Sequence, residues 1–367
     1  MNNKYLPGLD TLRFFAAFFV IVSHANQSIL KLGIDLPVTL MPIFQKGGDA
    51  VDFFFTLSGF LITYLLIQER EATGNISLKK FYLRRVFRIW PPYFIVLALG
   101  FAFFTLVYPA IFKEPFFKFN VWHGLFLFVF FLPNYAAKNY PVGLLNPLWS
   151  IGVEEQFYLF WAPLMKFFGR NTLSLIAIFI VVSTLFSFAV HHNWIAIAEN
   201  WKNFFVSLKF HNMAVGSLFA YILFNFQSGY ISTFLTHKAT QALVIAALAY
   251  HYLVGFRFLA NPLQDIFMSV LYGLFILNVC SIPNKLIDLE IKPLLFLGRI
   301  SYGLYMYHML ADYFLRFSYS KFVPCTQFPV ATLISYHVLL LALTIGISSF
   351  SFFFIEKYFM GLKKRFA

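Results

Sequence analysis

Long apolar runs, separated by polar segments that carry most of the lysines and arginines, repeat along the whole chain. A helix needs roughly 20 predominantly apolar residues to cross a ~30 Å hydrocarbon core. Ten stretches meet or approach that length, near residues 9–30, 49–67, 89–107, 148–168, 172–190, 204–226, 239–256, 263–281, 300–318 and 330–355. About half of the loops between them are very short. Residues 122–132 are apolar but too few to cross with comfort, so they read as a re-entrant or interfacial piece. The pattern predicts an all-α polytopic membrane protein of about ten transmembrane helices.

Composition agrees. Of 367 residues, 60% are hydrophobic and 12% charged, against about 25% charged in average globular domains. Mean hydropathy is +0.73. The net charge of +13 would suit nucleic acid, but the basic residues sit at the ends of apolar runs, where membrane topology places them, so no nucleic-acid partner is expected. With the N-terminus in the cytoplasm, seventeen lysines and arginines, including Lys4, Lys364 and Arg365, fall on the inner side. Ten, including Arg257, fall on the outer side, and Arg13 lies inside the first span. The bias predicts both termini inside. Cys280 and Cys325 then lie on opposite sides, so a mutual disulfide is not expected. No small-x-small cleavage site follows the first run, which reads as a retained span. No repeat, low-complexity tract or long linker divides the chain, so residues 1–367 read as one domain.

Polar residues inside the runs carry the chemistry. In LDTLRFFAAFFVIVSH, Arg13 and His24 are eleven positions apart. That is three turns plus about 20°, so both point off one face, roughly 16 Å apart. Such residues are costly in lipid and should face a protein interior or a wet cavity. In GGDAVDFFFTLSGFLI, Asp49 reads as a helix N-cap, while Asp52, one turn from Thr56, fits either a structural cap or an orienter of His24. In LRRVFRIWPP, Arg84, Arg85 and Arg88 place at least two guanidiniums on one face. They suit multidentate phosphate binding or a positive-inside anchor to lipid headgroups. The following Trp90-Pro91-Pro92 is expected to fix where the helix can start.

In PLWSIGVEEQFYL, Ser150, Glu154 and Tyr158 form one polar stripe, with Glu155 about 100° away. A buried carboxylate there reads as functional, or as half of a salt bridge to an arginine. In LGRISYGLYMYHML, Tyr305, His308 and Asp312 share a side, and a His308–Asp312 hydrogen bond at i, i+4 reads as a satisfied core histidine. No metal spacing, nucleotide-binding glycine loop or GxSxG elbow occurs.

Arg13 with His24, GGDAVDFFFTLSGFLI, Arg85-x-x-Arg88, LWSIGVEEQFYL and LGRISYGLYMYH, in that order, resemble acyltransferase family 3. These are integral-membrane O-acyltransferases of bacterial polysaccharides and related acceptors, and the resemblance runs from Leu9 to the basic tail. It implies transfer of an acyl group, usually acetyl, from cytoplasmic acyl-CoA to a hydroxyl of an envelope carbohydrate, glycolipid or lipid-linked sugar. The site would lie in the bacterial cytoplasmic membrane, among membrane lipids, with acetyl-CoA or another acyl-CoA as donor and no resident cofactor. The family's arginine–histidine motif maps onto Arg13 and His24, its RxxR motif onto Arg85 and Arg88, and its acidic helix motif onto Ser150, Glu154, Phe157 and Tyr158.

In that reading Arg85, Arg88 and Arg13 hold CoA phosphates, and His24 takes the proton of the acceptor hydroxyl. Glu154 or Asp52 holds the His24 tautomer, and Ser150, Tyr158, Tyr305 and His308 contact substrate. Direct transfer and an acyl-His24 route both fit. Some members carry a C-terminal SGNH-type hydrolase-like domain, which this chain is expected to lack, so the acceptor would be handled by the membrane domain or a separate partner. Two other classes stay open. A transporter or flippase of an acylated or glycosylated lipid should show inverted repeats or paired broken helices, and a non-catalytic sensor or scaffold should tolerate His24→Ala. The acyltransferase reading carries a geometric expectation: His24, Asp52 and Glu154 converge on one cavity, joined by a continuous passage to the arginine cluster.

Overall fold

The computed structural model describes residues 6–226, 230–255, 258–280 and 285–363. Lys4, Arg257, Lys364, Arg365 and the last positions of the seventh and eighth expected spans lie outside the described residues. Among the described residues there is no strand, and ten long helices dominate: α1 (Leu9–Lys31), α2 (Gly47–Thr73), α3 (Leu78–Ala102), α4 (Leu148–Phe168), α5 (Thr172–His191), α6 (Phe210–Asn225), α7 (Lys238–Leu253), α8 (Leu263–Cys280), α9 (Ser301–Phe322) and α10 (Pro329–Ser351). Among the described residues, six helical stretches combine the length and apolarity needed to cross a membrane, and one of these, Gly143–His191, contains both α4 and α5. The 16-residue α6 and α7 and the more polar α9 do not meet both conditions. The chain is an all-α, multi-pass membrane protein.

The tightest crossing is α2 against α6. A Cβ on Gly59 would strike the carbonyl oxygen of Met213, and one on Gly216 the carbonyl oxygen of Thr56. Small residues let helix backbones approach where apolar burial alone gives little drive to associate. The same seam is tied by Thr63 Oγ1 donating to Ser217 Oγ at 2.7 Å. Trp161 Nε1 of α4 in turn donates to Thr63 Oγ1 at 2.8 Å. Helix α1 packs against α2, α9 and α10, so its polar face looks into the bundle.

Several local expectations are corrected. Helix α3 starts at Leu78, with Ser77 Oγ accepting from the Lys80 amide at 3.4 Å, and Pro91 and Pro92 lie inside it. Each proline removes one bond, to the carbonyl four residues back, and burial of Phe81 and Ile89 keeps the preceding turns helical. Arg85 and Arg88 therefore ride a continuous helix. It runs on through a π-helical turn, Phe103–Val107, into Tyr108–Phe112.

The sixth expected span is broken. Helix Glu199–Ser207 and α6 meet at Lys209, which has a left-handed φ of 43°. Asp49 does not cap α2, because Lys46 occupies the cap position. It pairs instead with Lys46 Nζ and His251 Nε2, each at 3.0 Å. Residues 122–132 hold a nine-residue helix, Val121–Val129, tied to α3 by Tyr93 Oη donating to the Phe128 carbonyl at 2.7 Å. Cys280 and Cys325 are buried and unpaired.

Candidate active site

Helices α1, α2, α3, α4 and α9 enclose a cavity of about 90 Å³. Into it project Arg13, Ser58, Arg85, Arg88, Ser150, Glu154, Tyr158 and Tyr305. Three guanidiniums thus face one carboxylate, and Glu154 is held by hydroxyls. Its Oε1 accepts from Ser58 Oγ at 2.9 Å and its Oε2 from Tyr158 Oη at 2.7 Å. Arg84 turns away to Glu69, 2.6 Å distant. Among the described residues Arg85 and Arg88 form no salt bridge, and Arg13 has only a 3.4 Å contact with Asp10. The Arg85 guanidinium lies 5.8 Å from the Tyr158 ring and 5.6 Å from the Phe81 ring, and its buried Nε has no hydrogen-bond partner. A rigidly placed surplus of fork-shaped cations suits a ligand with more than one phosphate charge. Glu155 stands apart, 3.4 Å from Trp90 Nε1.

His24 lies in a second cavity, of about 270 Å³, with Gln27, Ser28, Lys31, Asn146, Asp312 and Arg316 among its walls. Its tautomer follows from its neighbours. His308 Nδ1 lies 2.6 Å from the Tyr305 carbonyl, which only accepts, so Nδ1 carries the hydrogen and His308 Nε2 is a lone pair. His24 Nδ1 lies 3.0 Å from the Val20 carbonyl and 3.3 Å from His308 Nε2. Both of those accept, so for neutral rings His24 Nδ1 carries the hydrogen and its Nε2 is the free base. The expected His308–Asp312 bond does not form. Asp312 already accepts from Ser28 Oγ and Tyr336 Oη, each at 2.8 Å.

The two cavities share no lining residue. Between them, Ser150 Oγ and Tyr305 Oη are hydrogen-bonded at 2.7 Å. The Tyr305 ring packs 5.7 Å from Phe54 and 5.8 Å from His308. The expected single cavity with an open passage is therefore corrected. Arg13, Arg85, Arg88, Ser150, Glu154, Tyr158 and Tyr305 come together, His24 sits beyond Tyr305 with His308, and Glu154 does not orient it.

Asp52 belongs to neither cavity. Lys209 Nζ donates to its two oxygens at 2.9 and 2.7 Å and also meets Asp265 at 3.3 Å. A carboxylate only 8% exposed needs a countercharge, and the break before α6 delivers one. Ser58, Lys31 and Arg316 were not among the site residues expected from the sequence. Of these only Ser58 left a trace, a serine–glycine pair inside an apolar run where another helix crosses.

Comparison with known proteins bears on this arrangement. A family model described as "Acyltransferase domain" matches residues 6–354. The O-acetyltransferase OatA of Staphylococcus aureus is 28% identical over 380 residues, covering 97% of this chain and 57% of the relative. The peptidoglycan O-acetyltransferase OatA of Listeria monocytogenes is 26% identical over 329 residues, covering 84% of this chain and 49% of the relative. The chain thus spans about half the length of the curated relatives it matches. No solved structure matches it. The matched stretch takes in both cavities and every helix around them, and the chain belongs to acyltransferase family 3.

Proposed function

We propose that the chain transfers an acyl group, acetyl in keeping with the names of its relatives, from acyl-CoA to a hydroxyl of a cell-envelope carbohydrate such as peptidoglycan. The observation that supports this best is the pairing of a free imidazole nitrogen on one side of Tyr305 with three arginines around a single carboxylate on the other. Placed in a bacterial cytoplasmic membrane with both termini inside, the arginine cavity faces the cytoplasm and the His24 cavity faces outward. CoA phosphates then seat on Arg85 and Arg88, with Arg13 as the deepest cation. Glu154, pinned by Ser58 and Tyr158, limits the positive charge and fixes Tyr158 under Arg85.

The thin pantetheine arm runs along α1 toward His24, which requires Tyr305 to swing off Ser150. At His24 the acceptor oxygen attacks the thioester carbonyl carbon while its proton passes to Nε2. The C–S bond breaks, the ester forms, and the thiolate sulfur takes the proton back from the imidazolium. His308, through Tyr305, does the orienting that a carboxylate does in a triad.

The test joins mass spectrometry of envelope glycans, from cells with and without the gene, to turnover of purified His24→Ala protein. The expected results are loss of an ester-linked acetyl group from the glycan and a ~10²–10⁴-fold fall in transfer. Full activity in a well-folded His24→Ala protein would overturn histidine catalysis.

A further inference from the structure

Beside the His24 cavity lies an apolar groove of about 540 Å³, walled by Phe103, Tyr108, Phe112, Leu310, Phe314 and Phe317 among others. It opens where α3 passes through its π-helical turn at Phe103–Val107. Such turns displace the following helix from its ideal path and recur at functional sites. Groove and cavity are continuous, because Lys31, Tyr313 and Arg316 line both.

The border between them is cationic. Lys31 is in the last turn of α1, and the Arg316 guanidinium stands 4.6 Å from the Tyr313 ring. Neither forms a salt bridge among the described residues. The polar compartment beyond offers Gln27, Ser28, Asn146 and Asp312 around the free nitrogen of His24. Lys31 lies seven positions after His24, about 10 Å along the helix. Walking outward from His24, the walls are thus polar and hydrogen-bonding, then doubly cationic, then aromatic.

That sequence of surfaces has one amphipathic complement. We propose that the acceptor is a sugar carried on a lipid phosphate: its hydrocarbon chain in the groove, its phosphate or diphosphate on Lys31 and Arg316, and its sugar hydroxyl at His24 Nε2. This rests on the acyltransferase reading and narrows its acceptor from envelope carbohydrate in general to a membrane-anchored precursor. An ordinary anionic phospholipid would satisfy the groove and the cations but leave the polar compartment unused. A soluble or polymeric glycan would fill the polar compartment and leave the groove and both cations without a role.

The experiment uses the full chain in phosphatidylcholine nanodiscs with acetyl-CoA and two acceptors, farnesyl-diphosphate-linked N-acetylglucosamine and methyl N-acetylglucosaminide. Binding is read by native mass spectrometry and transfer by ester formation. The wild type is expected to take the lipid-linked sugar with a KM at least roughly tenfold below that of the glycoside, as two charge-assisted contacts imply. In Lys31→Gln and Arg316→Gln that ratio should collapse toward one, with CoA binding in the arginine cavity reporting that each variant is folded.

Equal KM values in the wild type, or a ratio unchanged in both variants, would overturn the proposal. So would displacement of the lipid-linked sugar by phosphatidylglycerol at equal concentration. The two readings fail separately. Charge-dependent binding of the lipid-linked sugar without ester formation would sink the acyltransferase reading and keep the site. Transfer to the glycoside alone would keep the enzyme and sink the site.

Discussion

At the residue scale, the centre of the molecule is a set of hydrogen-bond choices made around His24. The helical phase of Arg13 and His24 was legible in the sequence because eleven residues nearly close three turns. What orients His24 was not, because it depends on how α9 is rotated against α1, and one chain's spacing does not encode that rotation. The expected partners Glu154 and Asp52 were taken by Ser58, Tyr158 and Lys209, and His308 stands in their place.

If His308 sets the tautomer of His24, His308→Phe should lower kcat strongly while leaving KM for acyl-CoA unchanged. His308→Gln, which keeps an acceptor for the His24 Nδ1 hydrogen, should recover much of the loss. Steady-state kinetics of the two variants check this, and equal defects in both would leave His308 a packing residue. On the other side of Tyr305, Arg85→Lys and Arg88→Lys keep the charge and lose the fork. CoA should bind at least about tenfold more weakly to each, since a charge-assisted hydrogen bond contributes roughly 1.5–3 kcal/mol. Calorimetry with CoA and dephospho-CoA measures it. Unchanged affinity would return these arginines to the role of lipid anchors.

At the scale of elements, the sequence defined helices best where an apolar run is bounded by residues that cannot extend it. Helix α4 has the limits read from sequence, between Pro147 and Gly169. The reading failed where tertiary contacts overrule a local signal. Pro91 and Pro92 looked like a start and lie inside α3, whose earlier turns are held by burial and by Arg84 on Glu69. The run at 204–226 looked continuous and breaks at Lys209, where a backbone turn brings an ammonium group to Asp52 and Asp265.

The α2–α6 crossing offers the sharpest test of how elements are held. Gly216→Leu would drive a side chain into the Thr56 carbonyl, and overpacking of this kind costs typically 1–3 kcal/mol, occasionally more. The variant should lose several degrees of melting temperature and much of its yield, whereas Gly346→Ala, with open space around it, should melt with the wild type. Thermal unfolding followed in detergent compares them directly.

For the whole molecule, the relevant fact is that two cavities approach each other from opposite ends of one bundle. The function proposed for them is sided. In sealed proteoliposomes, acetyl-CoA should support transfer only when supplied to the face bearing the Gly74–Ser77 turn, which a membrane-impermeant thiol label on an Asn75→Cys protein identifies. Equal activity from either face would mean that the donor does not enter through the arginine cavity.

The Ser150–Tyr305 contact also has an electrical consequence. Two vestibules separated by a thin layer of side chains, here Tyr305 with Phe54 and His308 against it, are nearly a pore. If both are wet, almost the whole membrane voltage drops across that layer rather than across the ~30 Å of lipid beside it. A unit charge crossing the layer then experiences nearly the full ~2.3 kcal/mol per 100 mV. In the proposed transfer Tyr305 would then be a seal as well as a gate: each opening that admits a donor arm would also expose the proton gradient to leakage. A bundle of this design would be under pressure to open briefly and only when the arm fills the gap, and the frequency of Tyr305 motion would then limit turnover before ester formation does.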